Sequence, residues 1–172
     1  MSNYKLRKDL SINVWGRTLF RIEATKDLTI HNVSKGDLGG YIESKNNLTG
    51  NAWVSGNARV SGNARVYGNA EVSGNAEVSG DARVYGNAEV SGDKIENNKD
   101  LYNICCNETY NITITPNFIK IGCQFYKKEE WWNFTDREIE AMDGLRAIHF
   151  WKKWKHILMA ICNNHERDEK NG

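Results

Sequence analysis

A six-residue period in apolar and small residues dominates the middle of the chain. Valine, alanine and glycine each return at every sixth position, and an asparagine or aspartate follows each of these glycines. The valines of the series are Val54, Val60, Val66, Val72, Val78, Val84 and Val90. A period of six matches neither the 3.6 of an amphipathic helix nor the strict alternation of an ordinary strand, so the pattern predicts a repeat architecture.

The repeat unit V-[S/Y]-G-[N/D]-A-x indicates how each six residues fold. One valine flanked by two outward-pointing residues makes a very short strand, and Gly-Asn supplies the backbone conformations of a tight turn. The small alanine fits the crowded corner beside the next turn. Three units close one triangular coil, and stacked coils pair their strands in parallel. We therefore predict a parallel β-helix over residues 41–93, with the strict repeat in 48–93.

Stacking of the coils places two similar segments directly above each other. Arg65-Val66-Tyr67 lies under Arg83-Val84-Tyr85, and no other face of the predicted coil repeats both residue types. Two arginines roughly 4.8 Å apart repel each other unless an anion lies between them. Arg65, Tyr67, Arg83 and Tyr85 are therefore candidate ligand-binding residues, arginine for phosphate or carboxylate and tyrosine for an aromatic ring. The same residues also fit a solvated ladder, or a subunit interface that a neighbour's glutamates complete.

The segments on either side of the repeat break the period and are predicted to end the coil. Residues 1–40 are interpreted as an N-terminal β cap, with a strand pair within residues 15–24 and a turn at residues 36–42. A solenoid needs such a cap because its last coil exposes unpaired backbone and apolar core. The polar stretch 94–101 is interpreted as a linker, and residues 102–172 as a unit for capping or oligomerisation.

The C-terminal unit begins with strand-like runs and continues as helices. The runs lie at residues 102–106, 110–115 and 118–123. Thr135 followed by Glu138 predicts a capping box for a short helix that ends near Gly144. From Leu145 to Asn163 apolar residues recur at steps of three and four, which predicts a Trp-rich last helix with one buried face.

Five large apolar residues are candidates for contacts between subunits. Phe150 and Ile157 widen the stripe that Trp151 and Trp154 form on the last helix, and Trp53 is expected at the surface of the coil. Exposed aromatic residues are typical anchors of protein interfaces. An aromatic stripe of this kind also fits an ordinary buried core.

Composition and charge narrow the classes of function. The 172 residues carry a net charge of +1, so we expect no direct nucleic-acid partner, because such proteins usually have a strongly basic face. No apolar stretch approaches the roughly 20 residues that span a bilayer, and the N-terminus lacks a secretory signal, so we expect a cytoplasmic protein without a membrane partner. The four cysteines show no CxxC pair or zinc-finger spacing, and we expect no metal and no cofactor.

The repeat resembles that of the hexapeptide-repeat left-handed β-helix family. The order of residues 19–22, residues 36–42 and the G-N-A-x-V units, followed by residues 119–123, Glu130-Trp131 and a Trp-rich helix, is similar to small accessory proteins of phages and prophages. The resemblance implies a mainly β fold: a short left-handed parallel β-helix of about three coils, an N-terminal β cap and a C-terminal α+β segment ending in a Trp-rich helix. It also implies a homo-oligomer, with a trimer favoured, in the cytoplasm of an infected bacterial host.

Many hexapeptide-repeat proteins are acyltransferases that use a histidine as general base beside a subunit groove. Residues 41–93 contain no histidine and no inserted loop, and His31, before the coils, is the candidate base that is left. We therefore expect a non-catalytic phage-type binding protein that sequesters a nucleotide-type signalling molecule of host defence in the grooves of an oligomer. The alternatives are a protein-binding inhibitor of a host defence enzyme, as anti-CRISPR proteins are, a structural or virion-associated module, and an acyltransferase.

Overall fold

The chain begins with a β-hairpin that leads into the coil. The computed structural model describes residues 2–104 and 110–170, with side chains up to residue 163, and pairs strands β1 (Tyr4–Val14) and β2 (Arg17–Ala24) antiparallel. Strand β3 (Leu38–Ile42) pairs with β2, so one sheet runs from the β cap into the coil. The expected strand pair within residues 15–24 is wrong, because Trp15 and Gly16 form the turn of a longer hairpin.

Eight short strands follow and stack in parallel. The pairing sets are β3-β5-β8-β11, β4-β7-β10 and β6-β9. Except between β8 and β11, their registers join residues 18 apart, as in Arg65 with Arg83. All seven valines of the period are at most 1% exposed. The chain is therefore mainly β, with a three-turn β-solenoid, as the period predicted. The strands are β4 (Trp53–Val54), β5 (Arg59–Val60), β6 (Arg65–Val66), β7 (Glu71–Ser73), β8 (Glu77–Val78), β9 (Arg83–Val84), β10 (Glu89–Ser91) and β11 (Lys94–Ile95).

The corners of the coil explain why glycine holds its place in the repeat. Gly68 has a φ of +76°, and a Cβ there would lie 3.0 Å from the amide nitrogen of Gly86 in the next coil. The left-handed backbone disfavours other residues, and the close approach of the next coil leaves no room for a side chain.

The coil continues past residue 93. Strand β11 pairs with β8 at a spacing of 17 residues, Lys94 with Glu77, because this coil is one residue shorter. Ile95 is fully buried, and Leu101 belongs to the same core cluster. The interpretation of residues 94–101 as a linker is therefore wrong. The inward-pointing residue that follows Val90 is Ile95, five residues later instead of six. The six-residue period therefore did not predict that the coil continues.

The C-terminal segment is a four-stranded antiparallel sheet followed by helices. Its strands are β12 (Tyr102–Ile104), β13 (Ile112–Ile114), β14 (Phe118–Ile121) and β15 (Gln124–Lys127), and its helices are α1 (Lys128–Asn133) and α2 (Asp136–Lys170). Strand β15 and helix α1 were not predicted. Cys105 and Cys106, in the predicted run 102–106, lie outside the described residues.

Helix α2 is broken where the sequence indicated a helix end. Asp143 and Gly144 have non-helical φ values of −157° and +63°, which kink the helix. At its start Thr135 Oγ1 accepts from Glu138 N at 3.3 Å, and Glu138 Oε2 accepts from Thr135 N at 2.9 Å, as the predicted capping box requires. No helix among the described residues is long and apolar enough to cross a bilayer.

A buried aspartate joins the solenoid to the C-terminal sheet. Asp93 accepts hydrogen bonds from the Thr115 hydroxyl, from Asn117 N at 3.1 Å and from Asn117 Nδ2 at 2.6 Å. Nearby, Lys120 forms an ion pair with Glu89 of β10. The sheet therefore closes the end of the solenoid opposite the hairpin.

Candidate functional site

The predicted arginine–tyrosine ladder, which consists of Arg65, Tyr67, Arg83 and Tyr85, is present. Strands β6 and β9 pair Arg65 with Arg83 in register, and both side chains are exposed. Tyr67 and Tyr85 stack with ring centroids 5.5 Å apart and ring planes 14° from parallel. All four outward side chains therefore lie side by side on one face of the coil.

The arginines of the ladder differ from the arginine at the equivalent position on the neighbouring face. There, Arg59 Nη2 lies 2.8 Å from Glu77 Oε1 of the next coil. Among the described residues, neither Arg65 nor Arg83 forms an ion pair. Two guanidinium groups in register repel each other, and an anion placed between them would relieve that repulsion.

The tyrosines limit how a ligand can use this face. Flat rings in contact lie roughly 3.5 Å apart, so a third ring needs a gap of roughly 7 Å between its neighbours. The separation of 5.5 Å between Tyr67 and Tyr85 is too small for such insertion. Above them, Asn103 Nδ2 donates to Tyr85 O at 3.1 Å and continues the ladder. A ligand ring can therefore contact only the edges and outer faces of the two tyrosine rings, and cannot insert between them.

A polar groove of about 790 Å³ adjoins the ladder at Arg65. The hairpin tip, defined by Trp15 and Gly16, contributes Trp15 to the lining of the groove, and Arg17 lies next in the chain. The coil contributes residues 61–65 and 79–81 to the same lining. Sequence reasoning missed this groove, because it depends on how the hairpin lies against the coil. The available signal was Trp-Gly between two alternating strand runs.

The charges of the groove are mostly matched. Arg17 Nη1 lies 2.9 Å from Glu43 Oε2, and Lys94 Nζ lies 2.9 Å from Glu96 Oε1. Arg59 is held by Glu77 of the adjacent strand. Among the cations that line the groove, Arg65 is the one with no ion pair to a described residue. An anion entering the groove meets the free positive charge of Arg65, and also the carboxylate of Asp81, which lines the groove and forms no ion pair with a described residue.

His31 is a structural bridge in this fold. Its side chain is only 3% exposed, its Nδ1 lies 3.4 Å from Glu71 Oε2, and its Nε2 lies 2.8 Å from Asn51 O. The hydrogen bond that His31 donates to Glu71 raises the pKa of His31, and the same contact lowers the pKa of Glu71. Both ring nitrogens are engaged, whereas a general base needs one nitrogen open toward its substrate.

The candidate interface residues are mostly buried within the chain itself. Trp53 is 2% exposed and shares the solenoid core with residues of the cap, so its expected exposure is wrong. Phe150 and Trp151 are also buried, in the core between α2 and the C-terminal sheet, and are not open to a neighbour. Trp154 is partly exposed, and Ile157 is 36% exposed. The cap covers Trp53, a long-range contact that the repeat pattern does not reveal.

A second cavity, of about 310 Å³, lies in the C-terminal segment. It is lined by apolar side chains and by Tyr110, Asp143 and Arg146. The Tyr110 hydroxyl donates to the Asp143 carboxylate, and Arg146 donates to the same oxygen at 2.5 and 2.9 Å. These donors hold the pKa of Asp143 below its usual range, and Arg146 already balances its charge.

No cluster of three or more metal-ligating side chains occurs in the described part of the chain. Cys123 is exposed and Cys162 is buried there.

The stacked parallel coils define a β-solenoid protein. A family model described as YdcK Beta solenoid repeat matches residues 52–66 and 58–74, which lie within the stacked coils. No curated protein matches the chain.

Proposed function

We propose that this chain is a non-catalytic binding protein whose arginine–tyrosine ladder holds an anionic, nucleotide-type ligand. The observation that carries the proposal is the pair Arg65 and Arg83, two exposed guanidinium groups in register that no described carboxylate neutralises. Guanidinium groups bind phosphate through two parallel hydrogen bonds, and a phosphate group can bridge two neighbouring arginines.

The contacts of His31 support binding over turnover. His31, the candidate base of an acyltransferase, is held by Glu71 and the backbone of Asn51. A rigid solenoid also suits binding without chemistry, since each coil is fixed by hydrogen bonds to its neighbours.

The biological role that we propose is counter-defence by a phage-type protein that sequesters a nucleotide signal, acting as a homo-oligomer with a trimer favoured. Support for this part comes from the resemblance of the segments around the repeat to small phage proteins. Oligomers would place ladders beside grooves between subunits and enlarge the contact with the ligand.

Native mass spectrometry and isothermal titration calorimetry test the proposal. The protein is titrated with a panel of ribonucleotides and cyclic dinucleotides, and the double variant Arg65→Glu with Arg83→Glu is compared with the wild type. We expect at least a tenfold loss of affinity in the double variant. A matched control, Lys26→Glu with Lys35→Glu, makes the same charge change at exposed positions of the cap and should bind normally.

Two outcomes contradict the proposal. If the double variant keeps a tight nucleotide complex, the ladder is not the site. If no member of the panel binds, and no nucleotide copurifies with the protein from cells with an active nucleotide-signalling defence, the proposed function itself is wrong.

A further inference from the structure

The turn of the hairpin carries a residue that its backbone disfavours. Trp15 and Gly16 have φ values of +51° and +78°, the conformation of a two-residue turn that favours Asn-Gly, Asp-Gly or Gly-Gly. A bulky aromatic residue in the left-handed region is a conformational outlier. Folding of the hairpin alone therefore gives no reason for tryptophan at this position.

Packing gives no reason for it either. The Trp15 side chain is 93% exposed, the largest value among the exposed large apolar residues of the described chain. Outliers of backbone conformation that also expose a large aromatic ring concentrate at binding surfaces. The place of Trp15 in the molecule then indicates what it binds.

Trp15 and Arg65 both belong to the lining of the polar groove. Its volume of about 790 Å³ falls within the usual size of small-molecule sites, roughly 300 to 1,000 Å³. The groove thus offers an exposed aromatic ring and a cation without an ion pair among the described residues.

We infer that Trp15 is the stacking residue for the flat ring of the ligand, and that the ligand spans the groove from the hairpin tip to Arg65. This inference rests on the proposed function for the anion at Arg65, and it adds a second, aromatic subsite. It also resolves the restriction at the ladder, where Tyr67 and Tyr85 leave no gap for a ring.

The ligand class that fits both ends carries a planar heterocycle and an anionic group. Indole rings stack on any nucleobase, because every base presents a π-face. The groove is also lined by the ion pairs Arg17–Glu43 and Arg59–Glu77, whose outer atoms can donate to and accept from a sugar. A nucleotide or cyclic dinucleotide matches this set of groups.

The test compares a ligand that has a ring with one that lacks it. Affinities of the tightest-binding nucleotide of the panel and of inorganic tripolyphosphate are measured for the wild type, Trp15→Ala, Trp15→Phe and Arg65→Glu. Trp15→Ala should weaken the nucleotide about tenfold, since stacking on one aromatic residue contributes roughly that factor, and should leave tripolyphosphate unchanged. Trp15→Phe should restore most of the nucleotide affinity, and Arg65→Glu should weaken both ligands.

A control and three outcomes separate this inference from the proposed function. Leu145→Ala removes another exposed apolar side chain, on helix α2, and should leave both affinities unchanged. If Arg65→Glu abolishes nucleotide binding while Trp15→Ala does not alter it, the stacking role is wrong and the proposed function stands. If Trp15→Ala weakens both ligands equally, the tip acts on the groove's shape and the stacking role is again wrong. If neither ligand binds the wild type, both are wrong.

Discussion

His31 Nδ1 lies 3.4 Å from Glu71 Oε2, and this contact joins the cap to the second coil of the solenoid. His31 is the last residue of a short 3-10 turn after the hairpin, whereas Glu71 begins strand β7. The second ring nitrogen, Nε2, contacts Asn51 O at 2.8 Å, so one side chain touches two coils. Protonated histidine suits this position, because both ring nitrogens then donate.

The His31–Glu71 contact makes the stability of the cap depend on pH. The pKa of His31 is raised from 6.5, chiefly by the hydrogen bond that it donates to Glu71. This stabilisation is therefore present below pH 6.5 and is lost as the pH rises through the higher folded-state pKa. The pKa of Glu71 is lowered from 4.5 by the same contact, so its share is present above pH 4.5 and is lost as the pH falls. Urea unfolding of wild type and His31→Gln should therefore differ by about 1 kcal/mol at pH 5.5 and by less at pH 8.5.

The difference between the two proteins controls for the other histidines, which both retain. A difference that stays constant between these two pH values would show that the ion pair does not stabilise the cap.

Arg83→Glu should stabilise the solenoid while it removes part of the proposed ligand site. The substitution places a carboxylate next to Arg65 in the register that Arg59 and Glu77 occupy at 2.8 Å. Relief of repulsion and a new cross-strand pair should raise the free energy of unfolding by about 0.5 kcal/mol. Thermal unfolding measures the change, and Arg83→Gln, which only removes the charge, should give a smaller gain. A decrease in stability for Arg83→Glu would mean that the arginines do not repel each other.

Glycine substitutions at two turns separate backbone strain from close packing. Gly68 and Gly92 have φ values of +76° and +73°, but a Cβ at Gly68 meets Gly86 N at 3.0 Å, while a Cβ at Gly92 meets nothing within 4 Å. Both alanine variants should lose about 1 kcal/mol from the left-handed backbone. Gly68→Ala should lose a further amount of about 1–3 kcal/mol, since the neighbouring coil must move. Equal losses in chemical unfolding would argue against tight stacking of the coils.

Asp93→Ala should weaken the attachment of the C-terminal sheet. The buried carboxylate accepts from Thr115 and twice from Asn117, and alanine would leave these donors without their acceptor. We expect a loss of about 3 kcal/mol in the free energy of unfolding. Asp81→Ala changes the equivalent repeat position, where the aspartate is exposed, and should cost less than about 0.5 kcal/mol. Similar losses in the two variants would contradict a special role for Asp93.

Trp15→Asn should weaken the proposed ligand binding and raise the free energy of unfolding. The substitution creates Asn-Gly, the preferred pair for a turn with two left-handed residues. Relief of the strained tryptophan backbone should raise the free energy of unfolding by about 1 kcal/mol. Differential scanning calorimetry reports the gain, and Trp15→Leu, which keeps a bulky side chain in the same conformation, should show none. A loss of stability in Trp15→Asn would indicate that the indole packs on the hairpin.

The local sequence pattern was sufficient to predict the solenoid and the arginine–tyrosine ladder. The six-residue period fixes which residues point inward, and three units per coil fix the vertical neighbours, so the register of Arg65 with Arg83 follows from position numbers alone. The capping box at Thr135 and the break at Gly144 are likewise local signals.

Contacts between distant segments were beyond the reach of the sequence. Burial of Trp53 and engagement of His31 depend on where the cap lies against the coil. The groove beneath Trp15 depends on the same docking. The coil continues through Ile95, but this coil is one residue shorter than the others. A strict six-residue period therefore did not detect it.

Because strand pairing within the strict repeat joins residues 18 apart, the number of stacked coils sets both the length of the solenoid and the number of arginines in the ladder. In genetic terms, an in-frame duplication of 18 codons would insert a whole coil whose valines, alanines and glycines already match those above and below. The number of arginines in the ladder can therefore change in whole steps, while the end segments and the cross-section of the core stay as they are.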